Sequence, residues 1–255
     1  MDIYFNIKSI IYHYEYNVYE INIRMKRNSM YTKGDFHIHS TYSDGSLTPS
    51  QVVRLAKERN VDIMAITDHN NTDGIDEAIT EGRKNNITVI PGVELSTRYN
   101  DCRVHVLGYF KDDSYKSDLL KEVLLKVKQG KIKDIRKIFQ DKIGFCGFNN
   151  KLCVQTGVDI LRFFGATVVL AHPVLLCKKD FNNIININFD GIEAKYFKNT
   201  EEDTKYFIDI ANKKSIIYTA GSDFHNCIES YRIHGMIGDV YLNGEEIEKF
   251  LNVLI

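Results

Sequence analysis

Seven short runs rich in β-branched and aromatic residues, separated mostly by helical patterns, dominate the chain from Gly34 onward. They lie at residues 35–39, 62–67, 88–92, 104–109, 167–171, 191–195 and 216–221. Strands that alternate with helices are typical of parallel pairing through crossover connections. At 255 residues, the economical way to close such strands is a barrel. The alternation therefore predicts one α/β barrel domain.

The helical segments have recognisable starts and lengths. Thr48 is a natural N-cap, Pro49 occupies the first helical position and Gln51 completes a capping box. Further helices are predicted from their periodicity at residues 73–84, 116–142, 157–163, 201–213 and 245–254. The charged stretch 126–142 keeps apolar residues at helical spacing, which indicates an amphipathic helix covering the barrel rather than a nucleic-acid-binding surface.

The first 29 residues differ from the rest. They are dense in Tyr, Ile and Asn, carry no cap or turn signal, and contain His13, which we expect at the surface. Charged and polar residues interrupt their apolar residues, so they do not form a signal-peptide core. We therefore expect residues 1–29 to be an over-extended start or a peripheral segment, and residues 30–255 to form the domain.

Composition limits the partners and the compartment. Lys and Arg number 33 and Asp and Glu number 34, which argues against a basic surface for coating nucleic acid or binding a membrane. The chain has no run of 18 or more apolar residues, so no transmembrane helix is predicted. An odd number of cysteines, with no C-x-x-C pair and no secretory segment before them, indicates reduced thiols and a cytoplasmic location. These are Cys102, Cys146, Cys153, Cys177 and Cys227.

Six of the eight histidines lie in short motifs at the ends of the predicted strands. His37 and His39 are two residues apart in a strand, so their side chains point the same way and can bind one metal ion. The other motifs supply Asp44, His69, Glu94, His105, His172, Asp223 and His225. Imidazole-rich ligands favour Zn, Mn or Fe over Mg, which prefers oxygen. The sequence therefore predicts a metal site at the C-terminal mouth of the barrel.

This order of motifs resembles the PHP (polymerase and histidinol phosphatase) domain family from about residue 34 to about residue 238. The resemblance implies a distorted (β/α)7 TIM-like barrel with two or three Zn, Mn or Fe ions at the C-terminal ends of the strands. By motif, the ligands would be His37, His39, Glu94 and Asp223 for one ion, Asp44, His69 and His225 for a second, and His105 and His172, with Glu94 bridging, for a third.

We expect hydrolysis of phosphate esters by attack of a metal-bridging hydroxide, with Glu94, Asp223 and His225 as the catalytic residues. The aspartate of Tyr42-Ser43-Asp44-Gly45 resembles the stand-alone branch that acts on nucleotides and short oligonucleotides. The charge of three divalent ions exceeds that of the carboxylate ligands, which suits a phosphoryl dianion. A nucleoside phosphate or the end of a short oligonucleotide is therefore the expected substrate.

Two alternatives remain open. One is a phosphatase for a small metabolite such as histidinol phosphate. The other is a non-catalytic, metal-stabilised interaction module like the PHP modules of some replicative polymerases. Nucleotide-active relatives often insert a sizeable cap between the positions of Tyr109 and Ala171, where this chain is compact, so a more open pocket is expected. No motif implies a membrane or a stable protein partner.

Two residues near the motifs are candidates for supporting the ligands, and three more are candidate substrate contacts. Asp35 and Asp68 are expected to orient ligand imidazoles through the ring nitrogen that faces away from the ion. Arg98 and Lys195 follow the motifs closely enough to face the mouth and contact substrate phosphate. His234 follows the last motif and is the further candidate, either for a substrate contact or for a contact with a metal ligand.

Overall fold

The computed structural model describes residues 31–140, 142–146, 151–227 and 233–254. The segment 1–29, including His13, lies outside the described residues, so the expectations for it and for the domain boundary stay predictions. None of the helices in the described part of the chain is long and apolar enough to cross a membrane.

In the described residues, seven strands form one sheet in sequence order. They are β1 (Gly34–Ile38), β2 (Ile63–Ile66), β3 (Thr88–Tyr99), β4 (Cys102–Tyr109), β5 (Thr167–Leu170), β6 (Gly191–Tyr196) and β7 (Ile217–Gly221). The sheet nearly closes where β1 meets the segment after β7. There the His39 amide donates to the Phe224 carbonyl at 3.0 Å, and the Asp223 amide donates to the His37 carbonyl at 2.9 Å. The predicted TIM-like barrel is confirmed.

The uniformly parallel order expected from the alternation is wrong for β4, which pairs antiparallel with both β3 and β5. Only Asn100 and Asp101 join β3 to β4, and a parallel pair needs a crossover of a dozen residues or more. Asn100 adopts a φ of 51°, as tight hairpin turns require. Because β4 runs the other way, its first half, which carries His105, reaches the edge where the other strands end.

Eight α-helices in the described residues accompany the sheet. They are α1 (Pro49–Glu58), α2 (Ile75–Asn85), α3 (Asp118–Lys128), α4 (Ile132–Phe139), α5 (Val154–Phe163), α6 (Lys178–Ile184), α7 (Glu201–Lys214) and α8 (Gly244–Leu254). The predicted start of α1 is confirmed: the Thr48 side chain accepts from the Gln51 amide, and the Gln51 side chain accepts from the Thr48 amide at 2.9 Å. This reciprocal pairing satisfies two backbone donors that the helix itself leaves open.

The single helix predicted over residues 116–142 is wrong, since α3 and α4 are separate. Gly130 lies between them with a φ of 69°, a left-handed conformation that ends a helix and suits glycine. The amphipathic character is as predicted: on α4, Ile135 and Phe139 are buried while Lys133 and Lys137 are exposed. Two shorter helices thus occupy the region between β4 and β5, together with α5.

The expectation of five reduced thiols is wrong for Cys146 and Cys153, which form a disulfide with Cα atoms 6.0 Å apart. Thr156 brings them together, because its hydroxyl accepts from the Cys146 amide at 3.1 Å and donates to the Gly144 carbonyl at 3.1 Å. The two cysteines are seven residues apart, and this spacing does not by itself predict a disulfide. The pairing depends on how the chain is arranged at the start of α5. The other three cysteines are free thiols: Cys102, Cys177 and Cys227.

A buried aromatic cluster supports β1 below the predicted metal ligands. Phe36 packs against Phe250 of α8 with ring centroids 4.5 Å apart. The Tyr109 hydroxyl, fully buried, donates to the Phe36 carbonyl at 2.9 Å. Packing and this hydrogen bond fix the backbone immediately before His37, so the first ligand position rests on rigid core rather than on a loop.

Candidate metal centre

The first predicted ligand group converges in the barrel mouth. His37 and His39 project from the end of β1 with their Nε2 atoms 3.1 Å apart, and both side chains are fully buried. Glu94 Oε2 lies 3.4 Å and 3.2 Å from these two nitrogens, and Asp223 Oδ1 lies 3.3 Å and 3.2 Å from them. The structure therefore brings together the four residues that the motifs assigned to one ion.

The second predicted group lies beside the first. Asp44 Oδ1 is 3.2 Å from His225 Nε2, and Asp44 Oδ2 is 3.8 Å from His69 Nε2. Asp44 sits in a turn after β1, and its side chain is 56% exposed, so it is the most accessible member of the cluster. The turn needs Gly45, because a Cβ there would come within 2.7 Å of the His39 backbone. His39 also joins this group of ligand atoms.

The third predicted group shares Glu94. Its Oε1 atom lies 2.9 Å from His105 Nδ1 and 3.0 Å from His172 Nε2. Its Oε2 atom lies 2.9 Å from His69 Nδ1. With His37 and His39, five imidazoles surround one carboxylate, which is only 1% exposed. Glu94 is thus the geometric link between all three groups.

Two ligand candidates adopt a left-handed backbone conformation that ordinary side chains rarely take. The φ of His172 is 27° and that of Asp223 is 52°. Each such residue costs of order 1–3 kcal/mol and persists only where the surroundings determine it. Such strain clusters at functional sites, and here it lies at the two turns that carry ligands after β5 and β7.

The residues present fit divalent ions, on the evidence of their own unsatisfied atoms. Among the described residues, the buried atoms without a hydrogen-bond partner include Glu94 Oε2, His69 Nδ1 and His172 Nδ1. The first two are 2.9 Å apart but not aligned for a hydrogen bond. Leaving such atoms unpaired is costly, and a shared cation satisfies lone pairs that face each other. Zn, Mn and Fe suit this mixture of nitrogen and oxygen.

The electrostatics of the cluster point the same way. Burial would lower the pKa of His39, but the neighbouring carboxylates of Asp223 and Glu94 raise it to about 9. Burial would raise the pKa of Glu94, yet His105, His37 and the other imidazoles hold it well below the usual range. These carboxylates therefore require positive charge beside them. Protons and metal ions compete for the same nitrogen atoms, because only neutral imidazole binds a metal.

Glu193 is part of this site, and the sequence analysis missed it. Its Oε1 atom accepts from His37 Nδ1 at 2.9 Å, and its Oε2 atom accepts from the His172 amide at 2.7 Å. The carboxylate is fully buried on β6. The available signal was a lone acidic residue inside the apolar run 191–196. Tyr196, on the same strand, similarly donates its hydroxyl to Asp223 Oδ2 at 2.9 Å.

Asp35 and Asp68 lie beside the cluster, but their hydrogen bonds go to backbone amides and hydroxyl groups rather than to imidazoles, contrary to the expectation. Asp35 accepts from the backbone amides of Ser222 at 3.1 Å and Gly238 at 2.8 Å. It is fully buried, and backbone rather than ring nitrogens reach it. Asp68 accepts from the Ser40 amide at 2.7 Å and from the hydroxyls of Ser40 and Ser43 at 2.6 Å, so it fixes the turn that carries Asp44.

The three candidate substrate contacts have different surroundings. Lys195 is held away from the mouth, since its ammonium group lies 2.6 Å and 2.7 Å from the two carboxylate oxygens of Glu246 on α8. His234 does join the cluster: its Nδ1 is 3.0 Å from Asp223 Oδ2 and its ring stacks on His225 at 4.0 Å. Arg98 lines a cavity that opens beside the ligands.

The nearly closed sheet defines a TIM-like barrel. The cluster of imidazoles and carboxylates at its mouth is a site suited to divalent metal ions. The chain belongs to the PHP domain family, whose model matches residues 35–253. The sequence resemblance to this family is thereby confirmed.

Similar proteins include two curated relatives. The 5'-3' exoribonuclease of Haemophilus influenzae is 38% identical over 86 residues, which make up 34% of this chain and 31% of that protein. The 3',5'-nucleoside bisphosphate phosphatase of Chromobacterium violaceum is 33% identical over 104 residues, which make up 41% of this chain and 36% of that protein. The matches therefore span about a third of the length of these relatives.

A solved structure supports the fold. It is described as a metal-dependent phosphoesterase from Bifidobacterium adolescentis and is 18% identical to this chain, with a TM-score of 0.69. The superposition covers 87% of this chain and 96% of that one. At this identity the likeness concerns the barrel, while the site is argued from the residues themselves.

Proposed function

We propose that this protein is a metal-dependent phosphoesterase that hydrolyses nucleoside phosphates or the ends of short oligonucleotides. The observation that carries the proposal is Glu94, a buried carboxylate that lies within 3.4 Å of nitrogens from five imidazoles and so contacts all three predicted ligand groups. Such a cluster is expensive to bury unless cations complete it. The names of the two curated relatives, an exoribonuclease and a nucleoside bisphosphate phosphatase, favour a nucleotide substrate.

Each ion would be held by residues that already lie together. His37, His39, Glu94 and Asp223 would hold one ion, Asp44, His69 and His225 a second, and His105, His172 and Glu94 a third. When bound, the ions supply Lewis acidity at the phosphoryl group and a means of deprotonating water near neutral pH. Zn, Mn or Fe would serve, given the nitrogen-rich ligands.

The chain itself supplies orientation and proton handling. Glu193 holds His37 with Nδ1 protonated, so that Nε2 keeps a lone pair directed at the cluster. His234 is partly exposed, bonds Asp223 and stacks on His225, so it is placed to exchange a proton at the mouth. Asp44, exposed at the edge, is placed where substrate arrives.

Activity assays test this proposal directly. The purified protein, supplied with Mn or Zn, should hydrolyse a generic aryl phosphate, and His37→Ala should not. A panel of mononucleotides, nucleoside bisphosphates, 5′-phosphorylated oligonucleotides and histidinol phosphate should show nucleotides as the better substrates. Preference for histidinol phosphate would overturn the substrate class. Absence of turnover with every ester, despite tight metal binding, would overturn the enzymatic proposal and favour a non-catalytic module.

A further inference from the structure

A cavity of about 390 Å³ opens beside the ligand cluster and has two chemically different ends. At one end lie the candidate ligands Asp44, His69 and His105. At the other end lie three cationic residues that the motif analysis did not group together. These are Arg98, Arg103 and Lys151. The cavity therefore leads from the metal centre to a concentration of positive charge.

The pairing of β3 with β4 builds this arrangement. Ser96 pairs with His105, and Arg98 pairs with Arg103. Because alternate residues of a strand share a face, these two pairs lie on the same face as Glu94. At a rise of ~3.4 Å per residue, the arginine pair lies roughly 7 Å beyond the His105 pair. One face of the hairpin thus runs from metal ligands to a pair of guanidinium groups.

The arginine pair carries a cost that an anion would remove. Like charges directly opposite each other on neighbouring strands are destabilising. No carboxylate in the described parts of the chain forms an ion pair with Arg98, Arg103 or Lys151. Three other arginines in the described residues do form such ion pairs, at 2.6–2.7 Å. They are Arg54, Arg59 and Arg162.

Backbone contacts hold the cationic end in place. The Arg98 amide donates to the Leu152 carbonyl at 2.8 Å, and its guanidinium donates to the Asp101 carbonyl at 2.7 Å. The first bond attaches Leu152, the neighbour of Lys151, to β3, and Arg98 also pairs with Cys153 in a short parallel bridge. The three cations therefore come from elements that are bonded to each other.

We propose that Arg98, Arg103 and Lys151 form a second anionic subsite, which binds a phosphate group of the substrate other than the one hydrolysed. This inference rests on the proposed phosphoesterase function and narrows its substrate class to nucleotides with a second phosphate. Guanidinium groups bind phosphate oxygens in pairs, and a phosphate between two arginines offsets their repulsion. The second phosphate can be the other ester of a nucleoside bisphosphate or the next diester of an oligonucleotide.

The test compares substrates that differ in their second phosphate. The values of kcat/KM are measured for adenosine 5′-monophosphate, adenosine 3′,5′-bisphosphate and a 5′-phosphorylated dinucleotide. The wild type should prefer the two substrates that carry a second phosphate group. Whichever of these two is turned over better shows whether the subsite binds a phosphate monoester or a diester. In Arg98→Ala and Arg103→Ala, this preference should fall roughly 10–100-fold, through KM, because a charge-assisted hydrogen bond is lost.

Two controls make the result decisive. Lys205→Ala removes an exposed cation from α7, remote from the cavity, and should keep the wild-type preference. Arg103→Lys keeps the charge and should recover part of it. The inference is overturned if the wild type does not prefer a second phosphate, or if Arg98→Ala and Lys205→Ala show equal preference. That failure is distinct from failure of the proposed function, which would abolish aryl phosphate turnover as well.

A binding measurement tests the subsite even if the protein shows no turnover. Calorimetry with the phosphonate analogue of adenosine 3′,5′-bisphosphate, which resists hydrolysis, should show tighter binding to the metal-loaded wild type than to Arg98→Ala. Raising the salt concentration should reduce the difference, since the contacts are ionic. Equal affinities for both proteins would refute the subsite whether or not the protein is an enzyme.

Discussion

Glu193 offers the sharpest test of how the metal centre is built, because it bonds two candidate ligands at once without being a candidate ligand itself. One oxygen accepts from His37 Nδ1 at 2.9 Å and the other from the His172 amide at 2.7 Å. The change to examine is Glu193→Gln, which keeps the shape of the side chain. Glutamine has one acceptor oxygen where glutamate has two, so it can accept from only one of the two donors.

The magnitude follows from the two orientations that glutamine can take. If its amide nitrogen faces His37, the imidazole must move its proton to Nε2, the nitrogen that faces the cluster. If its amide nitrogen faces His172, a buried N–H loses its partner, at a cost of ~1–3 kcal/mol. Losing such a partner behind a metal ligand typically lowers metal affinity or activity ~10–100-fold. That corresponds to about 1.4–2.8 kcal/mol.

The assay is a chelator competition that measures metal affinity, followed by activity as a function of Mn concentration. We expect Glu193→Gln to shift the activation curve to higher Mn, with kcat partly restored at saturation, because the ligands are misplaced rather than removed. Glu202→Gln, on the exposed face of α7, is the matched control and should bind metal like the wild type. Unchanged metal affinity in Glu193→Gln, with only a lower Tm, would refute the positioning role.

Four further predictions follow from the same geometry. His37→Ala and Asp223→Ala should each abolish hydrolysis, since both open the same group of ligand atoms; retained turnover would show that the ligands are misassigned. Gly221→Ala should lose metal binding, because a methyl group there would overlap the His37 side chain, whereas Gly144→Ala, with open space around it, should match the wild type. Chelation should lower the Tm, because each bound ion adds about 2.7 kcal/mol to the free energy of unfolding when free metal is at 100-fold excess over Kd; calorimetry measures the shift in Tm. A chain that begins at Met30 should fold, bind metal and turn over substrate normally; insolubility of that chain would show that residues 1–29 belong to the core.

Local signals in the sequence were sufficient where a few adjacent residues decide the structure. The capping box at Thr48 and the β-rich runs both depend on neighbours within four residues, and both are present in the structure, although β3 extends to Tyr99, beyond the predicted run 88–92. The antiparallel direction of β4 was not predicted, because alternating strands and helices indicate parallel pairing in general. The direction of β4 depends on the two-residue link Asn100–Asp101, which is too short for a crossover. The break at Gly130 was missed for a related reason. The apolar residues keep helical spacing across it, but the left-handed backbone of Gly130 ends the helix.

The candidate ligands were accessible from sequence because each sits in a motif at a strand end, and the barrel brings strand ends together. Their supporting residues were not accessible in this way. Glu193 is 156 positions from His37 along the chain, and by itself it looks like an ordinary strand residue. Asp35 was predicted to orient an imidazole, whereas its partners are backbone amides, which no side-chain pattern reveals. Recognising which charged strand residues face inward requires the register of the sheet.

The buried carboxylates show why the ions matter at particular atoms. Asp35, Glu94, Glu193 and Asp223 are all at most 5% exposed, which folding alone does not favour. Asp35 and Glu193 are satisfied by amide and imidazole donors, so they need no cation. Glu94 Oε2 faces three imidazole nitrogens and, among the described residues, has no hydrogen bond. Protein donors therefore satisfy Asp35 and Glu193, and Glu94 Oε2 is the buried oxygen that a metal ion would complete.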